Sequence, residues 1–389
     1  MVLTQKQEEG LRTAVARYNA HEPWTCIAGY AGTGKSTLVK FIISALGLYD
    51  DQVAYIAYTG KASLVLREKG CPNAQTAHKL LYNSFPRRDG TFYHMPKRPL
   101  DKNYKLIILD EVSMFPKEMW ELLLTHNVHV IALGDPFQLP PIGEDNGVLK
   151  NPHVFLDEIM RQAQESEIIR LTMDIRAGKP LALFKGKEVQ VIDKSELVDG
   201  MYTWADQIIV GKNATRHQVN FQMRRMLHGV EDNTPVDGDK IVCLRNDWNT
   251  ITPNGDVLVN GVIGYLKNPH VEQNIPYIGK RLMGDFLLEE YVDTIEYSHY
   301  AFQGLPMDYK LFENHEFSIN QDNFRKVPKI WHPKQFDYGY CITCHKSQGS
   351  EYNKVLVLEE YLGGGEHERW LYTAATRAKE KLVIVRDYR

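Results

Sequence analysis

No apolar run in the 389 residues approaches the ~18 that a membrane-spanning helix needs. The opening residues MVLTQKQEEG lack the apolar core of a secretory signal. Cysteine is scarce and scattered, five in all, without the spacing of a disulfide framework. A soluble protein of a reducing, cytoplasmic compartment is therefore expected. Excess positive charge is missing too, since 46 Lys and Arg meet 49 Asp and Glu for a net charge of −3. Any nucleic-acid partner would have to be held in a local groove, not by bulk charge. Internal repeats and low-complexity segments are also absent. What remains is 43% hydrophobic and 24% charged, an ordinary globular composition, long enough for two to four domains at roughly 100–200 residues each.

Against that background one stretch stands out. Residues 29–37 read GYAGTGKST, in which Gly29, Gly32, Gly34, Lys35 and Ser36 fit G-x-x-x-x-G-K-[ST], with Thr33 and Thr37 alongside. Glycines let the backbone curl so that its N–H groups face one concavity. Lys35 brings a point charge for the β- and γ-phosphates, and the Ser36 hydroxyl a hard oxygen for Mg²⁺. The apolar WTCIAG (24–29) before it reads as a strand, and STLVKFIISAL (36–46) after it as a helix, so phosphates would meet a helix N-terminus. The chain is expected to bind a nucleoside triphosphate.

A second decisive stretch is KLIILDEVSM (105–114). An apolar strand ends in Asp110-Glu111 at its carboxyl end, where open α/β sheets place their chemistry. Asp110 suits Mg²⁺ through its water shell, and Glu111 suits the polarising of an attacking water. VHVIALGDPFQLPPIG (128–143) repeats the pattern, with Gly134-Asp135 at the strand end and Gln138 on a Pro-stiffened loop. Upstream, residues 3–17 predict a helix capped by Thr4. There Gln7, better placed than Gln5, offers a donor and an acceptor to an adenine edge or simply to solvent.

VAYIAYTGKA (53–62) predicts a buried strand ending at Thr59-Gly60-Lys61, and QTAHKLL (75–81) a short helix starting at Thr76. Hydroxyls, Lys61 and His78 at such ends suit a phosphodiester backbone, while helix capping explains Thr59 and Thr76 equally. Residues 82–104 break the rhythm: Asp89-Gly90 between aromatic runs signals a hairpin. Arg87, Arg88, Lys97 and Arg98 flank Phe85, Phe92 and Tyr93 there, either as a stacking surface among cations or as a solvated face. Arg161 precedes a helix ending at Gly178. A second α/β unit begins at ADQIIVGKN (205–213). From 237 to about 335, short strands, Asn-Gly turns (254–255 and 260–261), prolines and aromatics predict an inserted small barrel or sheet. The α/β pattern returns over 336–360 and 367–387, with Arg377 between a helix and a strand. Such an arginine either reaches a triphosphate or completes a helix dipole. Cys341-x-x-Cys344-His345 matches a haem-attachment pattern by coincidence, and no spacing links it to zinc-ligand partners.

The ordered set GYAGTGKST, YTGKA, AQTAHKLL, LDEVSM, GDPFQLPP, Arg161-Gln162, TCHKSQGSE and LYTAATRAK resembles superfamily 1 DNA helicases, most of all the 5′→3′, Dda/RecD-like branch, over most of 1–240 and 336–389. The resemblance implies an α/β fold of two RecA-like domains, 1–158 and 159–240 plus 336–389. It adds a β-hairpin insertion at 82–104 acting as a strand-separating pin and a β-barrel-like accessory module at 241–335. It implies ATP and Mg²⁺ between the domains: Gln7 on adenine, Lys35 on phosphate, Ser36 and Asp110 on the metal, and Glu111 as the base. Gln138 would sense the γ-phosphate, Arg161 and Arg377 would stabilise charge, and Gln348 and Glu351 would couple nucleotide to DNA. Thr59, Lys61, Thr76, His78, Thr343 and His345 would touch single-stranded DNA, with Phe85, Phe92 or Tyr93 as the wedge. The implied partners are single-stranded DNA, junctions, and single-strand-binding or replication proteins, met by a monomer in replication, repair or recombination. Strand separation leads the expectation. Displacement of bound proteins, strand annealing or loading, and tracking along RNA stand as alternatives.

Overall fold

The computed structural model describes residues 3–71, 73–86, 92–140, 144–160, 165–253, 257–275, 279–289, 292, 297–307, 333–363 and 366–388. The chain divides into two compact units, one of Met1–Asn83, Pro96–Gly211 and Thr343–Arg389, the other of Ser84–Met95 and Lys212–Ile342.

Two largely parallel sheets build the first unit. In the first sheet the order is Gln75–Thr76, Val53–Ala57, Leu106–Leu109, His129–Gly134, Trp24–Gly29 and Val154–Leu156, all neighbours parallel. These strands are apolar without a break because helices cover both faces. Ile27, Tyr55, Ile108 and Ile131 point into one core with Leu38 and Ile42 of the helix Lys35–Ala45. Their neighbours Cys26, Ala28, Ile56, Ile107 and Ala132 point into the other core, with Met119, Trp120 and Leu123 of the helix Lys117–Leu124. Since all strands run the same way, their carboxyl ends share one edge. That edge carries the phosphate-loop sequence, Thr59, Asp110-Glu111 and Asp135.

In the second sheet the order includes Gln207–Val210, Tyr352–Leu358, Ala378–Arg386, Val189–Asp193 and Phe184–Lys185. The pairs are parallel until the last, which is antiparallel. The helix Glu366–Ala375 leads into Ala378–Arg386 through Arg377, with Trp370, Leu371, Tyr372, Ala374 and Ala375 buried. The α/β architecture with parallel sheets follows the expected alternation.

The second unit holds the helix Asn213–His228 and an antiparallel sheet ordered Ala301–Met307, Gly279–Leu288, Ile263–Ile275, Lys240–Cys243 and Phe336–Tyr338. Its strands are not uniformly short, as the turn residues suggested: Ile263–Ile275 runs 13 residues and Gly279–Leu288 runs 10. Asn268 and Asn274 take positive φ (51° and 59°) at register shifts of this pair, so they bend a continuous strand instead of ending it. Gly261 turns with φ 88°, while Asn254-Gly255 lie outside the described residues. Arg224, fully buried, ties the helix to Asp239 at 2.9 Å. Strands Tyr82–Pro86 and Phe92–Pro96 pair as a hairpin. Arg87, Arg88, Asp89, Gly90 and the side chains of Phe92 and Tyr93 are outside what is described. Among the described residues no helix is long and apolar enough to cross a membrane.

Candidate functional site

The loop after Trp24–Gly29 enters its helix through Gly32 (φ 76°) and Gly34 (φ 78°), a left-handed turn that L side chains resist. A Cβ on Gly34 would stand 2.5 Å from Gln7 Nε2 and 2.6 Å from Met160 Sδ, so a side chain there would also displace both. Lys35 Nζ donates to the carbonyls of Gly29 (2.7 Å) and Tyr30 (3.0 Å), and Thr33 Oγ1 to Tyr30 O (2.8 Å). These bonds curl the loop round its own lysine. Ser36, in the first turn, is exposed, and Thr37 is half-buried. Gln7 is 1% exposed: Oε1 accepts the Thr4 N–H at 3.0 Å and Nε2 donates to Thr33 O at 3.1 Å. The amide expected at an adenine edge thus also binds the first helix to the phosphate loop, with one N–H left over.

Glu111 follows its strand in a left-handed conformation (φ 53°, ψ 48°), which costs about 1–3 kcal/mol for a residue with a side chain. The Glu111 N–H donates to Asp110 Oδ1 at 2.9 Å, holding the turn. Burial pushes both carboxyls above their ordinary range. For Asp110, the Glu111 N–H, Lys35 and Lys69 oppose burial. For Glu111, Arg377 and Lys35 oppose it, while Asp110 and Asp135 add to it. The Glu111 side chain keeps 21% of its exposure, so water still reaches it. Arg377 Nη1 stands 4.0 Å from Glu111 Oε1. With its amide turned to satisfy both neighbours, Gln138 donates to Glu111 Oε2 (3.2 Å) and accepts from Arg377 Nη2 (3.1 Å). Arg377 is 3% exposed and anchored on Thr373 O (3.1 Å), Ser350 O (3.3 Å) and Thr376 Oγ1 (3.0 Å). Glu111, Gln138 and Arg377 thus form one connected group, with Lys35 close enough to act on Glu111. Arg161 and Gln162 lie outside the described residues.

The donors near the loop are hard oxygens, Ser36 and Asp110. Among the described residues no group of three or more His, Cys, Asp or Glu could cage an ion. One hydroxyl and one carboxylate, completed by phosphate and water, suit Mg²⁺, which dehydrates reluctantly. Cys341 and Cys344 are buried, and burial pushes the Cys344 thiol up to about 12, the behaviour of a core thiol.

Thr59 Oγ1 accepts the Ala62 N–H (3.2 Å) and Thr76 Oγ1 the Lys79 N–H (3.3 Å), so both cap helices. Lys61 is half-buried. The half-buried His78 ring lies 6.0 Å from Tyr58 and 5.7 Å from Tyr82. Thr343 leads into the short helix Cys344–Ser347, and His345 on it is exposed. Gly349 (φ 73°) presses on the Thr59 turn: a Cβ there would lie 2.7 Å from Ala62 Cβ and 3.3 Å from Thr59 Oγ1. Gln348 Nε2 donates to Leu139 O at 3.0 Å. Glu351 pairs with Lys69 (2.7 Å) and Lys379 (3.8 Å). Phe85 on the hairpin is exposed. Lys97, read as a surface cation, is turned inward: its Nζ donates to Lys79 O (2.9 Å) and pairs with Asp101.

The helix before Arg377, Glu366–Ala375, was expected, but the roles of Arg369, Tyr372 and Thr373 on it were not. From it Arg369 Nη2 donates to Pro136 O (2.9 Å) and Thr373 Oγ1 accepts the Leu139 N–H (3.0 Å). The Tyr372 hydroxyl donates to Asp135 Oδ2 and accepts the Ala31 N–H at 3.1 Å. The available signal was polar residues at 369, 372–373 and 376, one face by helical spacing, interleaved with the apolar Trp370, Leu371, Ala374 and Ala375.

Residues 2–198 match a family profile described as an AAA domain, and residues 338–385 one described as a UvrD-like helicase C-terminal domain. The chain is 27% identical over 367 residues to the ATP-dependent RecD2 DNA helicase of Deinococcus radiodurans, covering 91% of this chain and 46% of that protein. It is 26% identical over 189 residues to the ATP-dependent DNA helicase dda of Enterobacteria phage T4, covering 46% and 43%. In fold it is similar to a Pif1 helicase from Bacteroides solved with ADP-AlF3 and ssDNA (TM-score 0.54, 17% identity, 99% of this chain and 92% of that one). The chain spans less than half the length of the first curated relatives it matches. With one profile spanning half its length, the chain belongs to the AAA domain family, and its C-terminal segment and curated relatives make it similar to the superfamily 1 helicases of the Dda/RecD-like branch.

Proposed function

We propose that this protein hydrolyses ATP to move along single-stranded DNA, 5′→3′, and to separate duplex strands ahead of it. The observation that supports this reading is the connected group Glu111, Gln138 and Arg377 beside the Lys35 loop. A nucleotide-binding module needs the loop. Only a hydrolase needs a base, a sensor and an arginine joined to it.

In this reading the Lys35 ammonium leaves the Gly29 and Tyr30 carbonyls for phosphate oxygens. Glu111 orients water, Gln138 registers the γ-phosphate, and Arg377, together with Arg161, stabilises the charge that develops on phosphoryl transfer. Ser36 and Asp110 hold Mg²⁺, which neutralises phosphate charge when bound. Gly29, Gly32, Thr33, Gly34 and Thr37 shape the cradle, and Gln7 meets adenine with its remaining N–H. Gln348 and Glu351 link this site to the DNA face of Thr59, Lys61, Thr76, His78, Thr343 and His345.

The work is a population shift. ATP favours the arrangement in which Arg377 and Lys35 share the triphosphate; hydrolysis removes that preference. Unstacking one base pair costs about 1.4 kcal/mol. The functional domains are 1–158, 159–240 plus 336–389, and 241–335 as an accessory β-barrel-like module. The 82–104 hairpin is the pin, with Phe85, Phe92 or Tyr93 as wedge. Single-stranded DNA and junctions are the substrates, with single-strand-binding or replication proteins as partners of a soluble monomer.

Strand displacement on 5′- and 3′-tailed DNA and RNA duplexes tests the whole reading. ATP-dependent unwinding of the 5′-tailed DNA is expected. No unwinding of any duplex, or preference for RNA, would overturn it.

A further inference from the structure

Tyr372 stands where two elements of the proposed hydrolytic site meet, and neither motif spacing nor the roles given above use it. It is 1% exposed and sits on the helix Glu366–Ala375 that leads to Arg377. Its hydroxyl touches two groups separated widely in sequence. Toward the Gln138 loop it meets Asp135 Oδ2; toward the phosphate loop it meets the Ala31 N–H at 3.1 Å. The direction of the chain is fixed by chemistry. A backbone N–H only donates, so the Tyr372 oxygen accepts from Ala31 and its phenolic hydrogen is left to point to Asp135.

Both ends of this relay bear on the site. Asp135 Oδ1 accepts the Phe137 N–H at 2.9 Å, and the Gln138 N–H donates to Asp135 O at 3.3 Å, so Asp135 shapes the loop that presents Gln138. Ala31 lies between Tyr30, whose carbonyl accepts from Lys35, and the left-handed Gly32. Tyr30 is itself held, with the Arg176 guanidinium 3.5 Å from its ring centroid. The Tyr372 ring meets Phe137 edge-on at 5.2 Å. Burial and the neighbouring Asp135 keep the phenol protonated by raising its pKa. The hydroxyl therefore stays a donor across any working pH.

We infer that Tyr372 is a positioning residue for hydrolysis, whose hydroxyl sets the phosphate loop and the Gln138 loop in register with each other. The inference rests on the proposed ATPase reading. Its role is in aligning the two loops at the moment of transfer, not in nucleotide affinity, so it should move kcat and spare KM.

The test is Tyr372→Phe, which deletes the hydroxyl and keeps the ring against Phe137. ATPase kcat and KM are measured with and without an oligo-dT strand, alongside the thermal midpoint. DNA-stimulated kcat is expected to fall about tenfold, with KM within about twofold and the melting midpoint close to wild type. Asp135→Asn keeps an acceptor for the Phe137 N–H and removes the carboxylate; it is expected to produce the same split. The two together should lose little more than either alone, since they break one chain of bonds. If Tyr372→Phe does not fold, Asp135→Asn alone decides. Wild-type kcat in the decisive variant, a rise in KM without loss of kcat, or losses that multiply in the double variant would overturn the inference. Wild-type protein that fails to hydrolyse ATP would instead sink the function proposed above.

Discussion

Replacing Arg377 by Ala is the sharpest perturbation of the proposed chemistry, and its size can be worked out. The guanidinium stands 4.0 Å from Glu111 Oε1, the carboxylate assigned to water. Two unit charges about 4 Å apart at an effective dielectric of about 20 interact by about 4 kcal/mol. If Arg377 meets the developing phosphoryl charge at similar range, losing it costs about three factors of ten in kcat, at 1.36 kcal/mol each. Nucleotide affinity should change far less, because that charge develops only on transfer. There is a competing explanation in the fold itself. Arg377 also satisfies Ser350 O, and orphaning a buried acceptor costs about 1–3 kcal/mol, whereas Thr373 O keeps the Thr376 hydroxyl. A thermal melt and a fluorescent-nucleotide titration therefore accompany single-turnover hydrolysis. Arg377→Lys provides the control, since it keeps the charge without the fork that spans Ser350, Thr376 and Gln138; an intermediate rate is expected. Turnover within about threefold of wild type in a folded Arg377→Ala protein would refute the finger role.

Lys35→Ala and Glu111→Gln are each expected to abolish ATP hydrolysis while single-stranded DNA binding, followed by fluorescence anisotropy, stays largely intact. Gly34→Ala forces φ 78° on a side chain and drives a Cβ to 2.5 Å from Gln7 Nε2; nucleotide binding by calorimetry is expected to be lost. Gly349→Val would push the 348–351 segment off the Thr59 turn, so DNA stimulation of the ATPase should collapse while unstimulated turnover persists. Deleting the hairpin tip around Asp89-Gly90 is expected to impair unwinding more than translocation, compared by strand displacement and by displacement of streptavidin from single-stranded ends. Equal loss of both would make the hairpin a structural element only.

Much of the first sheet was legible because its signals are local. An apolar run followed by Gly32-Thr33-Gly34-Lys35 can be read within a dozen residues, and so can the Thr4, Thr59 and Thr76 caps. The second unit was harder. Short strands were expected there, yet pairing with Gly279–Leu288 keeps Ile263–Ile275 one continuous strand, with Asn268 and Asn274 as bends inside it. Lys97 was misread for a related reason: its charge suggested solvent, whereas Lys79 O and Asp101 give it a buried position.

By itself the sequence determined that a phosphate loop exists, that acidic residues end a neighbouring strand, and that an arginine closes a late helix. Each follows from residue types at short spacing. Only the tertiary structure decided which of these meet. The bridge from Glu111 through Gln138 to Arg377, the left-handed turn at Glu111, and the Tyr372 hydroxyl between Ala31 and Asp135 depend on sheets and helices brought together from distant parts of the chain. Hydrogen bonds act over about 3 Å, and no pattern along the chain specifies a position across it to that tolerance.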